Sequence, residues 1–421
     1  MKRFEGKKLL VLGATGLICD AVKLAKEMGV YTVVTDYYPN SPAKKLADKS
    51  YTVSTTDIDA LEKIAREEGI DGVFTGFSDV NLFSALDLCE RLDLPFYATR
   101  EQIDVTTNKL KFKEMCRRYN VPTVPQYELD YRLLPEHLEK IKYPVMVKPA
   151  DSYASKGCRV CKNEEELRAN VAYALTFSAS NQVIVERFMD ASFCEDVGIC
   201  YMFVDGVPHL VYNGDRHTNA QQEGLAPLTA AVIAPSEFVD EYMQTLNQNT
   251  CEMFRGLGVK NGRASIQAFH DEDGYYFYEM GFRLTGGRQY FVVREESGID
   301  EVKALIEFAL TGEMPVEGIE KLTPKYDHYY CDLVLICSEG KISRIDGLDE
   351  ARNDPRVLDV AQLSDVGKEI KAEGTQNQVL ARICIKEDSK EKLMAAIAEL
   401  GSKVVAYDEA GKPMMLDVYG C

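Results

Sequence analysis

Residues 275–287 read YYFYEMGFRLTGG, an aromatic run that delivers Glu279, then Arg283, then two glycines. Aromatic residues favour β-strands, and a carboxylate at the end of a buried strand has to be neutralised by a cation or a metal ion. Gln267 stands twelve positions before Glu279, and the segment between them contains an Asp-Gly turn signal. The pattern therefore predicts an antiparallel hairpin on which Gln267 and Glu279 lie side by side.

Two oxygen donors that face one cavity suit a hard cation. Mg²⁺ takes few protein ligands and completes its coordination shell with water and phosphate, so the hairpin predicts a site for Mg²⁺, with Mn²⁺ as a possible substitute. The same residues also fit a solvated hairpin with an ordinary ion pair between Glu279 and Arg283.

Composition limits the class of protein. A chain of 421 residues exceeds what one hydrophobic core usually serves, which predicts two or three domains. The formal net charge of −18 argues against a nucleic-acid or membrane partner. The first residues do not resemble a signal peptide, and 12 scattered cysteines favour reduced thiols and a cytoplasmic protein. Cys158 and Cys161 form a single C-x2-C without a partner pair, so we expect no zinc site there.

The first third of the chain alternates strands and helices. Strands are predicted at 9–12, 31–35 and 72–74, and helices at 20–28, 57–68 and 81–92. This alternation predicts a doubly wound parallel-sheet α/β domain. Gly13 and Gly16 in the first strand-to-helix turn leave a nicotinamide dinucleotide site open as an alternative, although Cys19 stands where that fingerprint requires a small residue.

Two lysines stand at the ends of predicted elements further along. Lys109 opens a helix after the capping residues of segment 106–108, and Lys148 ends a short buried strand. Lys148 has to find an anion there or shift its pKa. The loop that follows, 150–157, contains Ser152, Ser155 and Lys156 before a second strand begins. Such a hairpin can fold over polyphosphate, although each lysine taken alone would also fit the surface.

Residues 182–189 read QVIVERFM, a strand that runs into a polar-apolar crossover. This segment is compatible with a hinge at which Phe188 borders an adenine ring and Glu195 reaches a ribose hydroxyl. A plain sheet strand with a charged edge fits the same residues.

The motifs described above are the two lysines, the loop 150–157, the segment 182–189 and the hairpin with Gln267 and Glu279. Their order, over roughly residues 8–315, resembles the ATP-grasp superfamily. The likeness is closest to carboxylate-amine ligases, including L-amino-acid ligases, with biotin carboxylase and the carbamoyl-phosphate synthetase large chain as more distant relatives. It implies an ATP- and Mg²⁺-dependent enzyme that forms an amide or peptide bond through an acyl phosphate and releases ADP and phosphate. An NAD(P)-binding oxidoreductase and a nucleotide-binding regulatory protein without turnover are the alternatives.

The resemblance also implies a role for each matching residue. The roles are phosphate contact for Lys109 and Lys148; the phosphate loop for Ser152, Ser155 and Lys156; the adenine hinge for Glu186, Arg187 and Met189; the ribose for Glu195; the metal for Gln267 and Glu279; and the acyl phosphate for Arg283. One position departs from the family. Many relatives read Glu-x-Asn where this chain has Gly281, which predicts either one loosely held Mg²⁺ or reduced catalytic competence.

Three residues are candidates for catalysis. Arg283 and Arg288 flank two glycines, so their guanidinium groups can bind a carboxylate or an oxyanion. Structural pairing with Glu295 or Glu296 is the alternative for both arginines. His217, in a segment predicted as a polar loop, is a candidate base for the incoming amine, although an exposed loop histidine is the commoner case.

The predicted organisation has three parts. Residues 1–107 form the α/β domain, residues 108–322 an ATP-grasp domain with a lid subdomain at about 123–187, and residues 323–421 a separate small α+β domain. The resemblance implies that this tail helps to close the active site. It also implies a small-molecule carboxylate and an amine as substrates. We expect the protein to be a homodimer. An amino acid, a small metabolite and a sugar-linked carboxylate all fit as substrates.

Overall fold

The computed structural model describes residues 3–129, 135–152, 156–190, 194–219, 228–314 and 317–420, so Ser155 lies outside the described residues. The amino-terminal elements are β1 Lys8–Leu12, α1 Ile18–Glu27, β2 Tyr31–Thr35, β3 Lys49–Tyr51, α2 Ile58–Glu68, β4 Gly72–Phe74, α3 Asp79–Leu92 and α4 Arg100–Thr107. The strands form one parallel sheet in the order β3-β2-β1-β4. The prediction of a doubly wound parallel sheet is confirmed, because the apolar runs of β1 and β2 are buried on both faces.

A second, antiparallel sheet follows. The elements of this part are α5 Lys109–Arg118, β5 Gln126–Tyr127, α6 Pro135–Leu138, β6 Val145–Pro149, β7 Arg159–Cys161, α7 Glu164–Leu175 and β8 Val183–Arg187. The strand order is β5-β8-β6-β7. Asn108 caps α5 by accepting hydrogen bonds from the N–H groups of Leu110 and Lys111, at 3.0 and 3.2 Å, so the predicted helix start is confirmed.

The largest sheet begins in the next part of the chain. Its elements are β9 Glu195–Val204, β10 Val207–Thr218, β11 Thr229–Ala234, α8 Val239–Thr245, α9 Asn247–Gly256, β12 Gly262–Asp271, β13 Gly274–Gly281, α10 Gln289–Ser297 and α11 Glu301–Thr311. Residues 213–218, predicted as a polar loop, instead continue β10. They pair with β9 on one side and β11 on the other, which satisfies their backbone groups.

The carboxy-terminal part shares this sheet. Its elements are β14 Tyr329–Ile336, β15 Gly340–Lys341, β16 Arg344–Asp346, α12 Leu348–Arg352, β17 Val357–Gln362, β18 Glu369–Ile370, β19 Val379–Glu387, α13 Lys390–Lys403 and β20 Val405–Tyr407. The sheet is antiparallel, in the order β13-β12-β9-β10-β11-β14-β19-β17. The tail therefore extends the central sheet, and the domain boundaries given above stay a prediction.

The register divides the side chains of the central sheet between two faces. Asp196 pairs with Arg216, Gln267 pairs with Gly198, and Glu279 pairs with Gln267, so these charged and polar side chains share one face, here called the Glu279 face. The intervening residues point the other way.

The opposite face carries Glu195, Asp215 and His217 and is called the His217 face. None of the helices in the described part of the chain has the length and apolar character needed to span a bilayer.

Candidate active site

The hairpin of β12 and β13 places Gln267 directly opposite Glu279, as predicted. A β-bulge between Gln267 and Ala268 leaves Tyr278 as an extra residue on β13. The Tyr278 ring stacks on Phe269 at 4.6 Å, so Tyr278 and Glu279 both lie on the Glu279 face although they are adjacent in sequence. The bulge thereby adds an aromatic wall beside the acid.

The donor set of this hairpin fits Mg²⁺. Gln267 and Glu279 offer two oxygen donors, and the Glu279 side chain is 39% exposed. No group of three or more His, Cys, Asp or Glu side chains that could hold a metal occurs in the part of the chain that the structure describes. A metal ion at this hairpin would therefore take its remaining ligands from water and from a phosphate-bearing molecule, which is typical of Mg²⁺.

Lys109 joins the hairpin to the loop after β6. Its ammonium lies 3.7 Å from Glu279 Oε1 and donates a hydrogen bond to the carbonyl of Ser152 at 2.6 Å. The backbone N–H of Lys109 also donates to the carbonyl of Ala150, at 2.8 Å. Lys109, Ser152 and Glu279, which the sequence separates widely, are thus brought together.

Glu186 is not a hinge side chain that faces a ligand. Its carboxylate is 2% exposed and lies between two lysines, with Lys113 Nζ at 2.6 Å and Lys148 on the other oxygen. Burial alone would raise the pKa of Glu186, but Lys148 and Lys113 outweigh it and hold the pKa below its ordinary value. The anion that Lys148 requires is therefore Glu186.

Lys113 is a residue that the sequence analysis missed. It is 1% exposed and also donates to the carbonyl of Val124, at 2.8 Å. Its spacing from Lys109 was an available signal, because residues four apart share one face of a helix. Burial disfavours the charged form of Lys148 as well, but Glu186 more than offsets this and raises the pKa of Lys148.

Asp196, rather than Glu195, lies on the Glu279 face. Asp196 accepts hydrogen bonds from Arg216 Nε at 3.0 Å and from the Tyr278 hydroxyl at 3.1 Å. Lys148 lies 5.2 Å from the centre of the Tyr278 ring. The strand alternation that separates the two acids could have been applied to the sequence once the start of β9 was known. Glu195, assigned to the ribose above, therefore lies on the opposite face of the sheet from Glu279.

The hinge segment divides between two environments. Met189 is 7% exposed and packs with Val124, Cys194 and Tyr278, beside the site. Arg187 is 45% exposed and pairs with Asp271 at 2.7 Å. The N–H of Phe188 donates to the carbonyl of Pro144 at 3.4 Å, and Lys156 lies exposed in the turn before β7.

Arg283 and Arg288 reach the amino-terminal sheet. Arg283 Nε donates to Asp79 Oδ1 at 2.7 Å, and Arg288 pairs with Asp20 at 2.9 Å and also with Asp359. Asp20 and Asp79 lie near the starts of helices that follow strands of the parallel sheet, which is the edge where ligands bind in such folds.

The alternative pairing of these arginines with Glu295 or Glu296 is wrong. Glu295 pairs instead with Lys386, and Glu296 with His328. The aspartate partners come from segments far away in the chain, so their contacts leave no local sequence pattern.

His217 lies away from these groups. Its ring stacks on Tyr419, with 4.5 Å between ring centres, on the face opposite Glu279. Burial lowers the pKa of His217, which favours the neutral imidazole. The predicted role of His217 as a base beside the reacting groups therefore disagrees with its position.

The turn after β1, which contains Gly13, is held by a hydrogen bond within the protein. Gly13 adopts a φ of +95°, which favours glycine, and the N–H of Ala14 donates to the buried Asp36 carboxylate at 3.0 Å. An amide bound in this way does not face a pyrophosphate. The turn thus has a structural explanation.

The chain is similar to known families and proteins. The family model described as carbamoyl-phosphate synthase L chain, ATP binding domain matches residues 108–316, and that of L-amino acid ligase C-terminal domain 2 matches residues 333–407. The formate-dependent phosphoribosylglycinamide formyltransferase of Aliivibrio fischeri is 26% identical over 363 residues, covering 83% of this chain and 86% of that protein. Its counterpart from Methanocaldococcus jannaschii is 24% identical and covers 76% and 83%.

Two solved structures share the fold. The L-amino acid ligase from Bacillus licheniformis superimposes with a TM-score of 0.77 at 20% identity, covering 96% of this chain and 99% of that one. The biotin carboxylase domain of Hydrogenobacter thermophilus 2-oxoglutarate carboxylase, a dimer in complex with MgADP and bicarbonate, gives 0.78 at 20% identity, covering 98% and 91%.

The family matches and the shared fold identify an ATP-dependent enzyme of the ligase class. The chain belongs to the ATP-grasp superfamily, among the carboxylate-amine ligases and their relatives, a family that uses ATP and Mg²⁺. The resemblance seen in the sequence is confirmed, and the oxidoreductase alternative finds no support.

Proposed function

We propose that the protein activates an organic carboxylate with ATP, through an acyl phosphate, and joins it to an amine as an amide or peptide. The observation that carries this proposal is the position of Lys109, 3.7 Å from Glu279 and hydrogen-bonded to the loop carbonyl of Ser152. A cation shared between a metal-binding acid and a covering loop is suited to a magnesium nucleotide.

The nucleotide is proposed to lie on the Glu279 face. Gln267 and Glu279 would hold Mg²⁺, which supplies charge neutralisation at the phosphates when bound. Lys109 and Lys148 would contact phosphate oxygens, and Glu186 positions Lys148 from behind. We assign Ser152, Ser155 and Lys156 to the phosphate loop.

The adenosine is proposed to lie between the hinge and Tyr278. Met189 and the backbone of Arg187 and Phe188 would border the adenine ring, since Met189 packs against Tyr278. Asp196 would accept a hydrogen bond from a ribose hydroxyl. Its position on the Glu279 face supports this assignment over Glu195.

Electrostatics explain why the step needs these cations. A carboxylate that attacks the γ-phosphorus brings two anions together, and Lys109 and Lys148 offset their repulsion while they hold the groups in line. Arg283 would face the acyl phosphate, and Arg288 would anchor a substrate carboxylate. Arg288 is 4% exposed and paired with Asp20 and Asp359, so a substrate carboxylate would reach it only by displacing one of these aspartates.

A screen of acid and amine pairs tests the proposal. ADP release is measured for each pair, and mass spectrometry identifies the condensed product. Release that requires one acid together with one amine supports a ligase. Nucleotide binding without ADP release for any pair would favour a regulatory protein.

The assembly and location are also proposals. A homodimer is supported by the dimer of the 2-oxoglutarate carboxylase domain, and light scattering of the purified chain measures it. A cytoplasmic location is supported by the many unpaired cysteines among the described residues.

A further inference from the structure

The Glu-x-Asn pattern that the resemblance implies would place an asparagine two residues after Glu279, where this chain has Gly281. Because it pairs with Ser265 in the register, Gly281 belongs to the same face as Glu279. A β-carbon built on Gly281 would lie 3.4 Å from Asp79 Oδ1 and 3.6 Å from Arg283 Cζ. The space into which an asparagine would extend is therefore filled by an ion pair.

Both members of this pair are fixed. Arg283 Nε donates to one oxygen of Asp79 at 2.7 Å, Nη2 pairs with the other oxygen, and Nη1 donates to the carbonyl of Leu284 at 2.9 Å. Asp79 is the first residue of α3, where the helix dipole stabilises a negative charge. The side chains are 20% and 18% exposed. The guanidinium is therefore held in place by the amino-terminal sheet domain.

The guanidinium next to Gly281 changes what else can bind there. Arginine stays protonated at any physiological pH, and its charge repels a dication brought into the same space. Asp79 directs both oxygens toward Arg283, so a metal ion would compete with the guanidinium for this carboxylate. Gln267 and Glu279 together provide oxygen ligands for one divalent ion.

We propose that this protein binds one divalent ion per nucleotide, and that the Arg283 guanidinium, positioned by Asp79, occupies the place of a second one. Arg283 then supplies positive charge to the transferred phosphoryl group from the side where a second metal would lie. Asp79 is a positioning residue that acts through Arg283. The inference rests on the proposed nucleotide site.

The metal count tests the inference without reference to turnover. Mn²⁺ is titrated into the folded protein saturated with the non-hydrolysable analogue AMPPNP, and the free Mn²⁺ is measured by electron paramagnetic resonance. The expected result is one bound Mn²⁺ per bound nucleotide. Two bound ions in the wild-type complex would overturn the inference. Failure to bind AMPPNP at all would instead contradict the proposed function, so the two failures are distinguishable.

A variant sharpens the assignment of Arg283. In Gly281→Asn combined with Arg283→Met, the amide oxygen returns and the guanidinium is removed, so the count is expected to rise from one to two. Arg168→Met is the matched control, because Arg168 pairs with Glu164 on the exposed face of α7, and its count is expected to stay at one. A folded double variant that still binds one ion would overturn the role given to Arg283. The wild-type count remains decisive if the double variant does not fold.

Discussion

The two faces of the central sheet carry similar residues with different surroundings. On the Glu279 face, Asp196 contacts Arg216 and Tyr278 beside Lys148. On the His217 face, Asp215 accepts hydrogen bonds from the Ser236 hydroxyl and the Glu237 N–H. A shift of one residue along β9 or β10 moves a side chain from the proposed nucleotide site to the opposite face of the sheet. The alternation of side chains along a strand, rather than residue type, therefore decides which face each acid lies on.

We expect the largest difference between the two faces at Glu279, the proposed metal-binding acid. Glu279→Gln removes the charged metal ligand, so we expect Mg²⁺-dependent phosphate release to fall by about 10²-fold or more. Glu195→Gln on the other face is the matched control, and its rate should stay within about twofold, as for surface changes in general. Near-normal phosphate release by Glu279→Gln would remove the metal assignment.

The next effect is on stability, at the buried acid behind the site. Glu186→Gln leaves Lys113 and Lys148 without their carboxylate, so we expect the free energy of unfolding to fall by about 3–5 kcal/mol in a urea titration. Glu164→Gln, which breaks an exposed pair with Arg168, should change it by about 0.5 kcal/mol or less. Glu186, Lys113 and Lys148 form a buried triad, and an equal loss in both variants would contradict its stabilising role.

The same triad has a predictable pH dependence. The pKa of Glu186 is below its ordinary value, so its stabilising contribution is complete above that ordinary value and is lost as the pH falls through the lower, folded-state pKa. The stability difference between wild type and Glu186→Gln should therefore shrink on acidification. A difference that grows in acid would show that the carboxylate is not held ionised by the lysines.

A smaller effect separates the adjacent acids Asp196 and Glu195. Asp196→Asn weakens a charged hydrogen bond to the nucleotide, so we expect AMPPNP affinity to fall about tenfold or more. Glu195→Gln should leave the affinity within about twofold. The reverse order of the two variants in a calorimetric titration would restore Glu195 as the ribose ligand.

The smallest effect is expected at His217. His217→Asn should leave the pH profile of kcat/KM unchanged across the neutral range, because the imidazole stacks on Tyr419 away from the Glu279 face. Loss of one limb of the profile in this variant would make His217 the base after all.

Local patterns account for what the sequence predicted well. The alternation of β1, α1 and β2 and the Asp-Gly signal before β13 depend on neighbouring residues, so the parallel sheet and the hairpin follow from them. The sequence could not show that Glu195 and Glu279 lie on opposite faces of the sheet, because this alternation depends on the exact start of β9. The pairs Arg283–Asp79 and Arg288–Asp20 join residues more than two hundred positions apart and leave no periodic signal.

Calorimetric titration of AMPPNP into the folded protein tests the central claim most directly. We predict saturable binding in the presence of Mg²⁺ and much weaker binding when the metal is chelated. The absence of measurable binding under saturating Mg²⁺ would contradict the assignment of a magnesium nucleotide to the Glu279 face.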